Sequence, residues 1–222
     1  METSINSETS KEPYQPNESD LQLLNELKTS GEEKLASFFL EHRDRLFRMV
    51  SLRMDHRLRS RVDASDVLQE GFIDAAKRIQ EYINAPSMPL FVWLRFLIGQ
   101  RLAAVHRWHF KTQKRDPRRE SLTPSQCHPP ADSRTIAWDY SASLTSPSET
   151  IAKAEQVERM TKILDSMEPD DREILVLRHF EDLSNNEAAA ELNLQKGTAS
   201  KRYIRALSKL NKAMQQENLA EG

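Results

Sequence analysis

Residues 183–210 constrain the fold more than any other stretch of the chain, because they predict two helices joined by a tight turn. The apolar residues of the second half recur every three or four positions: Ala199, Tyr203, Ala206, Leu207 and Leu210. This spacing places them on one face of a helix. The stretch from residue 196 to 212 has basic but no acidic residues: Lys196, Lys201, Arg202, Arg205, Lys209 and Lys212. The pattern predicts an amphipathic helix with a cationic polar face.

The residues before this helix carry the signals of a short helix and a turn. Ser184 is suited to cap a helix N-terminus, and Glu187, three residues later, completes a capping box. Asn193 stands where a left-handed residue would end that helix. The arrangement predicts a helix-turn-helix whose second helix enters the DNA major groove. The alternative interpretation is a helical hairpin whose basic face is only solvated.

Composition favours a helical protein and excludes several kinds of site. The 222 residues suffice for one large or two small domains, and only five are glycine while 30% are charged. The net charge is −2, yet residues 1–33 carry eight acids against Lys11 and Lys28, so the charge is unevenly distributed. Cys127 is the only cysteine, which excludes an intrachain disulfide. Its neighbour His128, with His106 and His109, fits no standard metal-site spacing.

The sequence contains neither a signal peptide nor an apolar run long enough to span a bilayer, so a cytoplasmic protein is expected. Residues 1–18 are Ser, Glu, Asn and Pro with few apolar positions, which predicts disorder. A helix is expected from about residue 19 to Gly31, and a second, longer one from Glu32 onward.

Residues 63–82 predict a firmly amphipathic helix with an acidic outer strip. Leu68, Phe72, Ala75, Ile79 and Tyr82 follow spacings of four, three, four and three residues. The polar residues on the other side are Asp66, Gln69, Glu70 and Asp74. Favourable interaction with the helix dipole gives Asp63 and Asp66 a structural reason to stand near the helix start. That reason does not extend to Glu70.

Residues 91–110 begin apolar on most sides and then become basic and aromatic. Cationic side chains follow phosphates, and aromatic faces stack on unpaired bases, so the end of this helix suits nucleic acid. Tryptophan on a helix is also a common core residue, and Trp93 is the stronger candidate for that alternative. Residues 112–148 are rich in Pro, Ser, Thr and Asp without sustained periodicity, which predicts a linker.

Taken together, the acidic strip, the basic aromatic helix and the helix-turn-helix resemble a bacterial sigma-70 factor of the extracytoplasmic-function type. The resemblance implies an all-α protein with two small helical domains, conventionally regions 2 and 4. The implied organisation is a disordered tail at 1–18, a region 2-like domain at 19–111, a linker at 112–148 and a region 4-like domain at 149–214. It also implies a non-enzymatic protein without cofactor or metal.

The resemblance assigns three sets of contacts. The set expected to bind the polymerase clamp is Asp63, Asp66, Gln69 and Glu70. The set expected to read and melt the minus-ten element is Trp93, Arg95, Gln100, Arg101, His106, Arg107 and Trp108. The set expected to bind the minus-thirty-five element is Lys196, Thr198, Ser200, Lys201, Arg202 and Arg205. The implied partners are core RNA polymerase, through its clamp and flap regions, and promoter DNA, with an anti-sigma factor as an optional further partner.

Two other classes of protein remain open from the sequence. A stand-alone helix-turn-helix regulator with an N-terminal sensing or dimerisation domain explains residues 183–212 equally well. It gives no role to the acidic strip of residues 63–82 or to the basic aromatic helix. A purely structural helical scaffold would bind no DNA in any setting.

Overall fold

A computed structural model describes residues 14–111, 128–144 and 150–220 of the chain. All regular secondary structure in these ranges is helical, which confirms the predicted all-α class. The helices are α1 (Glu18–Glu41), α2 (Arg43–Arg53), α3 (Ala64–Asn84), α4 (Leu90–Lys111), α5 (Ser133–Leu144), α6 (Thr150–Ser166), α7 (Pro169–Leu175), α8 (Asn185–Glu191) and α9 (Lys196–Ala220). A π-helical turn, Val176–Phe180, continues α7.

Helix α1 begins at Glu18, one residue before the predicted start, and bends where the sequence predicts an end. Asn17 caps it, accepting a hydrogen bond from the Asp20 N–H, while the Asp20 carboxylate accepts one from the Asn17 N–H. Gly31 has a φ of 46°, a left-handed conformation that glycine adopts without steric cost, and the helix kinks there. The predicted disordered tail lies outside the described residues up to residue 13, whereas residues 14–18 are placed.

Helices α1, α3 and α4 pack around one apolar cluster. Its members include Leu27 and Leu35 of α1, Ile79 of α3, and Leu94 of α4, each at most 2% exposed. The predicted stripe of α3 therefore faces the core. Its polar strip is left on the outside, with Asp66 and Gln69 exposed.

The two halves of the chain share a second apolar cluster. It contains Leu46 of α2 and Ile98 of α4 together with Leu177 and Ala189 from the C-terminal half. The halves are thus packed against each other through buried side chains. Among the described residues no helix is long and apolar enough to cross a membrane.

Part of the predicted linker is a helix. Helix α5 packs on α6, with Ile136 and Ala137 fully buried beside Val157 and Leu164. The prediction of a segment without regular structure missed α5, because its apolar residues are few and lie between two Pro- and Ser-rich stretches. The rest of the predicted linker falls largely outside the described residues.

Candidate nucleic-acid and polymerase interfaces

The predicted helix-turn-helix is formed by α8 and α9. Ser184 accepts a hydrogen bond from the Glu187 N–H at 3.2 Å, and the Glu187 carboxylate accepts one from the Ser184 N–H at 2.7 Å. Asn193 has a φ of 54° and makes the turn, as its type allows. Asn185 on α8 also donates to the Lys196 carbonyl at the start of α9. The predicted capping box and left-handed turn are both confirmed.

Helix α9 buries the predicted apolar face and exposes the cationic one. Ala199 and Ala206 are fully buried, and Tyr203, Leu207 and Leu210 pack against the same cluster. Lys196, Thr198 and Lys201 are exposed, and Ser200 is half-buried. The exposed residues lie in the first turns of α9, the part of a recognition helix that contacts base edges.

Two acidic residues of α7 form hydrogen bonds and ion pairs with basic residues of α9. Asp171, 1% exposed, accepts hydrogen bonds from Arg205 at 2.7 Å and from Lys209 at 2.6 Å. Burial by itself raises the pKa of Asp171, but the two hydrogen bonds outweigh it and hold the pKa below its usual value. Arg202 forms an ion pair with Asp170 at 3.0 Å. Arg202 and Arg205 therefore contribute to the attachment of α9 as well as to its charge.

The residues of α4 that were predicted to bind the minus-ten element fall into two groups, one exposed to solvent and one buried. Gln100, Arg107 and Trp108 are exposed, the last at 73%, and they lie between the middle of the helix and its C-terminal end. Arg101 is half-exposed and His106 is half-buried, with its Nε2 accepting a long hydrogen bond of 3.4 Å from the Asp55 N–H. This end of α4 presents a cation and an indole to solvent.

The buried group corrects two of the sequence predictions. Trp93 is 7% exposed and packs on Tyr82 with ring centroids 4.8 Å apart, so it is a core residue. Arg95 is fully buried and cannot reach DNA in this arrangement of the chain. Both lie in the first turns of α4, which are surrounded on most sides, and helical periodicity alone cannot distinguish such a helix from one with a free face.

Helix α3 presents the predicted polymerase-binding residues along its outer side. Asp63 is the N-cap, accepting a hydrogen bond from the Ser65 N–H at 2.7 Å. Glu70 forms an ion pair with Arg101 of α4, with Oε2 and Nε 2.5 Å apart and both side chains partly exposed. One ion pair thus links the predicted polymerase face to the predicted DNA face. The apolar side chain of Ile73, on the next turn, is 50% exposed.

Arg95 belongs to a buried ionic cluster between the two halves, hereafter the interdomain cluster. Its members are Arg53, Arg95, His128, Glu173, Glu181 and Glu191. Arg53 of α2 donates to Glu173 at 2.5 Å and to Glu181 at 2.6 Å. Arg95 pairs with Glu181, and its Nε lies 3.2 Å from Glu191 Oε2. Both cations come from the N-terminal half and all three carboxylates from the C-terminal half.

The imidazole of His128 lies between the guanidinium of Arg53 and the carboxylate of Glu191 and contacts both. Its Nδ1 lies 2.7 Å from Arg53 Nη1, which can only donate, so Nδ1 accepts. Its Nε2 lies 2.6 Å from Glu191 Oε1 and donates to that carboxylate. These neighbours assign a neutral imidazole protonated on Nε2. Burial raises the pKa of Glu191, but the charge of Arg95 and the hydrogen bond from His128 outweigh it and bring the pKa to about 2.

The sequence prediction missed every member of this cluster except Arg95, to which it gave a different role. One signal was present: an arginine flanked by Trp93, Leu94, Phe96 and Leu97 on an apolar helix needs a buried carboxylate partner. Nothing in the sequence identifies which glutamates those are, because they follow 78 or more residues later.

Comparison with known proteins agrees with this geometry. Residues 158–210 match the family described as sigma-70, region 4, which covers α7, α8 and most of α9. The chain is similar to CnrH, solved in complex with the cytosolic domain of CnrY, at 18% identity over 90% of this chain and 99% of that one, with a TM-score of 0.50. It is also similar to the sigma factor RpoE in complex with the anti-sigma factor NepR from Bartonella quintana. That match has 18% identity over 81% of this chain and 97% of the other, with a TM-score of 0.43. The comparison with curated sequences finds no match.

The helix-turn-helix and its attachment to α7 therefore match a sigma-70 region 4 domain, and all regular secondary structure in the described part of the chain is helical. Residues 158–210 thus match sigma-70 region 4, and the fold of the chain is similar to that of CnrH, in agreement with the sequence resemblance.

Proposed function

We propose that the protein is a sigma factor that binds core RNA polymerase, directs it to specific promoters and assists strand separation at the start site. The observation that carries the proposal is the region 4 helix-turn-helix, whose recognition helix exposes Lys196, Thr198 and Lys201 on a cationic face. Such a helix enters the major groove and grips phosphates and base edges. Because RNA polymerase acts in the cytoplasm of bacteria, the protein would act there too.

The N-terminal half supplies two further surfaces that a sigma factor requires. We assign polymerase binding to Asp63, Asp66, Gln69 and Glu70 on the outer side of α3. We assign minus-ten binding and melting to the exposed end of α4, through Gln100, Arg101, Arg107 and Trp108. Trp93 and Arg95 are left out of this set because they are buried. His106 is left out because its imidazole is turned toward the backbone of Asp55.

The remaining assignment is the minus-thirty-five contact, which we place on Lys196, Thr198, Ser200, Lys201, Arg202 and Arg205. Tethered sites act at high effective concentration, so each of the two DNA contacts can be weak by itself. An anti-sigma partner is a further proposal, supported by the similar structure of CnrH, which is in complex with the cytosolic domain of CnrY.

The polymerase assignment is tested by reversing charge on α3. Asp66→Lys should abolish co-purification with core polymerase while the circular dichroism spectrum stays unchanged, because Asp66 is exposed. The melting temperature should fall only slightly, because the substitution reverses a favourable interaction with the helix dipole in the first turn of α3. Glu81→Lys, also exposed on this helix, is the matched control and should bind normally, since it loses only a surface ion pair with Arg78 on the same helix. Asp66→Lys is preferred to Glu70→Lys, which would also break the ion pair with Arg101.

The whole proposal is tested by in vitro transcription with core polymerase and a library of genomic fragments. Promoter-specific transcripts that depend on the added protein are the expected result. Tight, sequence-specific binding to duplex DNA without polymerase, and no transcripts with it, would instead identify a stand-alone helix-turn-helix regulator.

A further inference from the structure

The outward side of the recognition helix carries an apolar side chain among polar ones. Among the α9 residues whose side chains the structure describes, 196–217, Ile204 is the large apolar residue that is exposed, at 66%. Ala206 is fully buried, and Tyr203 and Leu207 pack against the apolar cluster beneath the helix. A single exposed apolar side chain is common on protein surfaces. Its position on α9 therefore decides what it can contact.

Ile204 lies beside Lys201 on the side of α9 that faces away from the protein. Each residue of an α-helix is rotated by about 100° and raised by about 1.5 Å relative to the one before. Lys201 therefore points almost opposite to Ala199 and Ala206, which are buried. Ile204 is rotated by about 60° from Lys201 and lies about 4.5 Å further along the helix axis. The two side chains are neighbours on the surface that is proposed to enter the major groove.

Gly197 gives a second indication that another molecule approaches this side of α9. It lies seven residues before Ile204, close to two full turns, so the two positions face the same way. A Cβ built on Gly197 would meet no heavy atom within 4 Å, and its φ is outside the left-handed region. Neither packing nor backbone conformation therefore requires a glycine, although alanine is the better helix former. A backbone without a side chain does allow a ligand to approach closely.

The major groove of B-DNA offers an apolar group to a protein at thymine alone. Every base pair presents hydrogen-bonding groups there, and thymine adds its C5 methyl group. An isoleucine side chain can neither donate nor accept a hydrogen bond, so this methyl is the base-edge group that it contacts favourably. The Lys201 ammonium instead suits the O6 and N7 acceptors of guanine. The offset between the two side chains, about 4.5 Å, is little more than the rise of one base pair, about 3.4 Å, so their contacts would fall on the same or neighbouring base pairs.

The surroundings of Ile204 favour DNA over a protein partner. The outward residues nearest to it along the helix are Lys201, Arg205 and Ser208, all exposed and polar. The centre of a protein interface is depleted of charged residues, whereas a DNA interface is rich in cations that neutralise phosphates. An apolar side chain placed between cations therefore fits a groove whose floor is read and whose walls are phosphate.

We propose that Ile204 is a specificity-determining residue that contacts the C5 methyl group of one thymine in the minus-thirty-five element. The proposal rests on the sigma-factor function proposed above and adds a contact outside the set assigned there. Burial of one methyl-sized apolar group favours binding about fourfold, so loss of the thymine methyl should weaken binding by about that factor.

The test removes the methyl group from the DNA as well as the side chain from the protein. Deoxyuridine pairs as thymidine does and lacks only the C5 methyl. The promoter is one obtained from the transcription of genomic fragments, and each thymine of its minus-thirty-five element, on both strands, is replaced in turn by deoxyuridine. Holoenzyme formed from core polymerase and the full chain is titrated against this series. The wild type should lose about fourfold in affinity at one thymine.

Holoenzyme with Ile204→Ala completes a double-substitution cycle. It should bind the unmodified promoter several-fold more weakly, and deoxyuridine at that same thymine should cause no further loss. Ile204→Val keeps a branched apolar side chain and should retain most of the sensitivity to deoxyuridine. Ser208→Ala, exposed one turn later on α9, is the matched control and should keep the full fourfold loss. Ile204→Ala should not lower the melting temperature, because the side chain is exposed and alanine is the better helix former.

The outcomes separate this contact from the function on which it rests. No loss at any thymine in the wild type, an equal loss in Ile204→Ala, or an element without thymine would overturn the proposal. Reduced co-purification of Ile204→Ala with core polymerase, at unchanged sensitivity to deoxyuridine, would assign Ile204 to a protein contact instead. In each of these cases promoter-specific transcription by the wild type leaves the sigma function standing. A chain that never directs core polymerase to a promoter would refute the sigma function, and the thymine contact with it.

Discussion

The two helices proposed to meet DNA, α4 and α9, differ in how they are packed, and this decides which of their residues are available. Helix α9 lies on one side of its domain, with Ala199 and Ala206 buried and Lys201 exposed. Helix α4 is covered by α1 and α3 in its first turns and by the C-terminal half near Arg95. Its exposed side chains begin only at Gln100, near the middle of the helix. A basic residue is therefore a reasonable DNA candidate on α9 and a poor one in the first half of α4.

The largest expected effect is the difference in the free energy of unfolding between alanine substitutions of the two tryptophans of α4. Trp93→Ala should lower the free energy of unfolding by about 3–5 kcal/mol, because it removes a buried indole packed on Tyr82. Trp108→Ala should change it by less than about 0.5 kcal/mol, because Trp108 is 73% exposed. Urea unfolding of both variants gives the comparison.

The effects of the two substitutions on promoter melting should be in the reverse order, with Trp108→Ala the more damaging. Holoenzyme with Trp108→Ala should form closed complexes yet fail to separate the strands, which permanganate footprinting detects. Normal strand separation by that variant would remove Trp108 from the proposed melting surface. Equal destabilisation by both substitutions would show that the end of α4 is packed in solution.

The sequence predicted α9 and its turn in more detail than any other part of the site. Ser184, Glu187 and Asn193 act on neighbours within a few positions, so their roles can be read from local spacing. The contacts of Arg95 are with Glu181 and Glu191, and those of Arg53 include His128 and Glu173. Pairs 75 to 120 residues apart leave no periodic signal in a single sequence. Tertiary contacts therefore decided which half of α4 stayed exposed.

A smaller effect is expected from the acid that fixes α9 to α7. Asp171→Asn should cost about 1.5–3 kcal/mol, because it weakens charge-assisted hydrogen bonds from Arg205 and Lys209. The folded-state pKa of Asp171 is lowered, so its contribution is present above the unfolded pKa, about 3.9, and is lost as the pH falls below that value. Thermal unfolding from pH 7 to pH 3 should show the difference between wild type and Asp171→Asn shrinking with acidity. Asp44→Asn, exposed on α2, is the control and should follow the wild type.

The smallest effects are expected from alanine substitutions of Lys201 and Arg205 on the recognition helix, and the two should differ in kind. Lys201 is exposed near the N-terminal end of α9, so Lys201→Ala should lose about 1–3 kcal/mol of discrimination at a single base pair of the minus-thirty-five element. Arg205 is held by Asp171 and reaches at most a phosphate, so Arg205→Ala should weaken all sequences alike and lower the salt slope by about one or less.

Titration of both variants as holoenzyme, against a panel of minus-thirty-five sequences at several salt concentrations, separates the two roles. The double variant Asp171→Asn with Arg205→Ala supplies the control, because it shows whether the Arg205 effect comes from DNA contact or from loosening of α9. If Arg205→Ala alone changes base preference and Lys201→Ala does not, α9 is rotated in the groove. The side chain of Arg205 must then leave Asp171 when DNA binds.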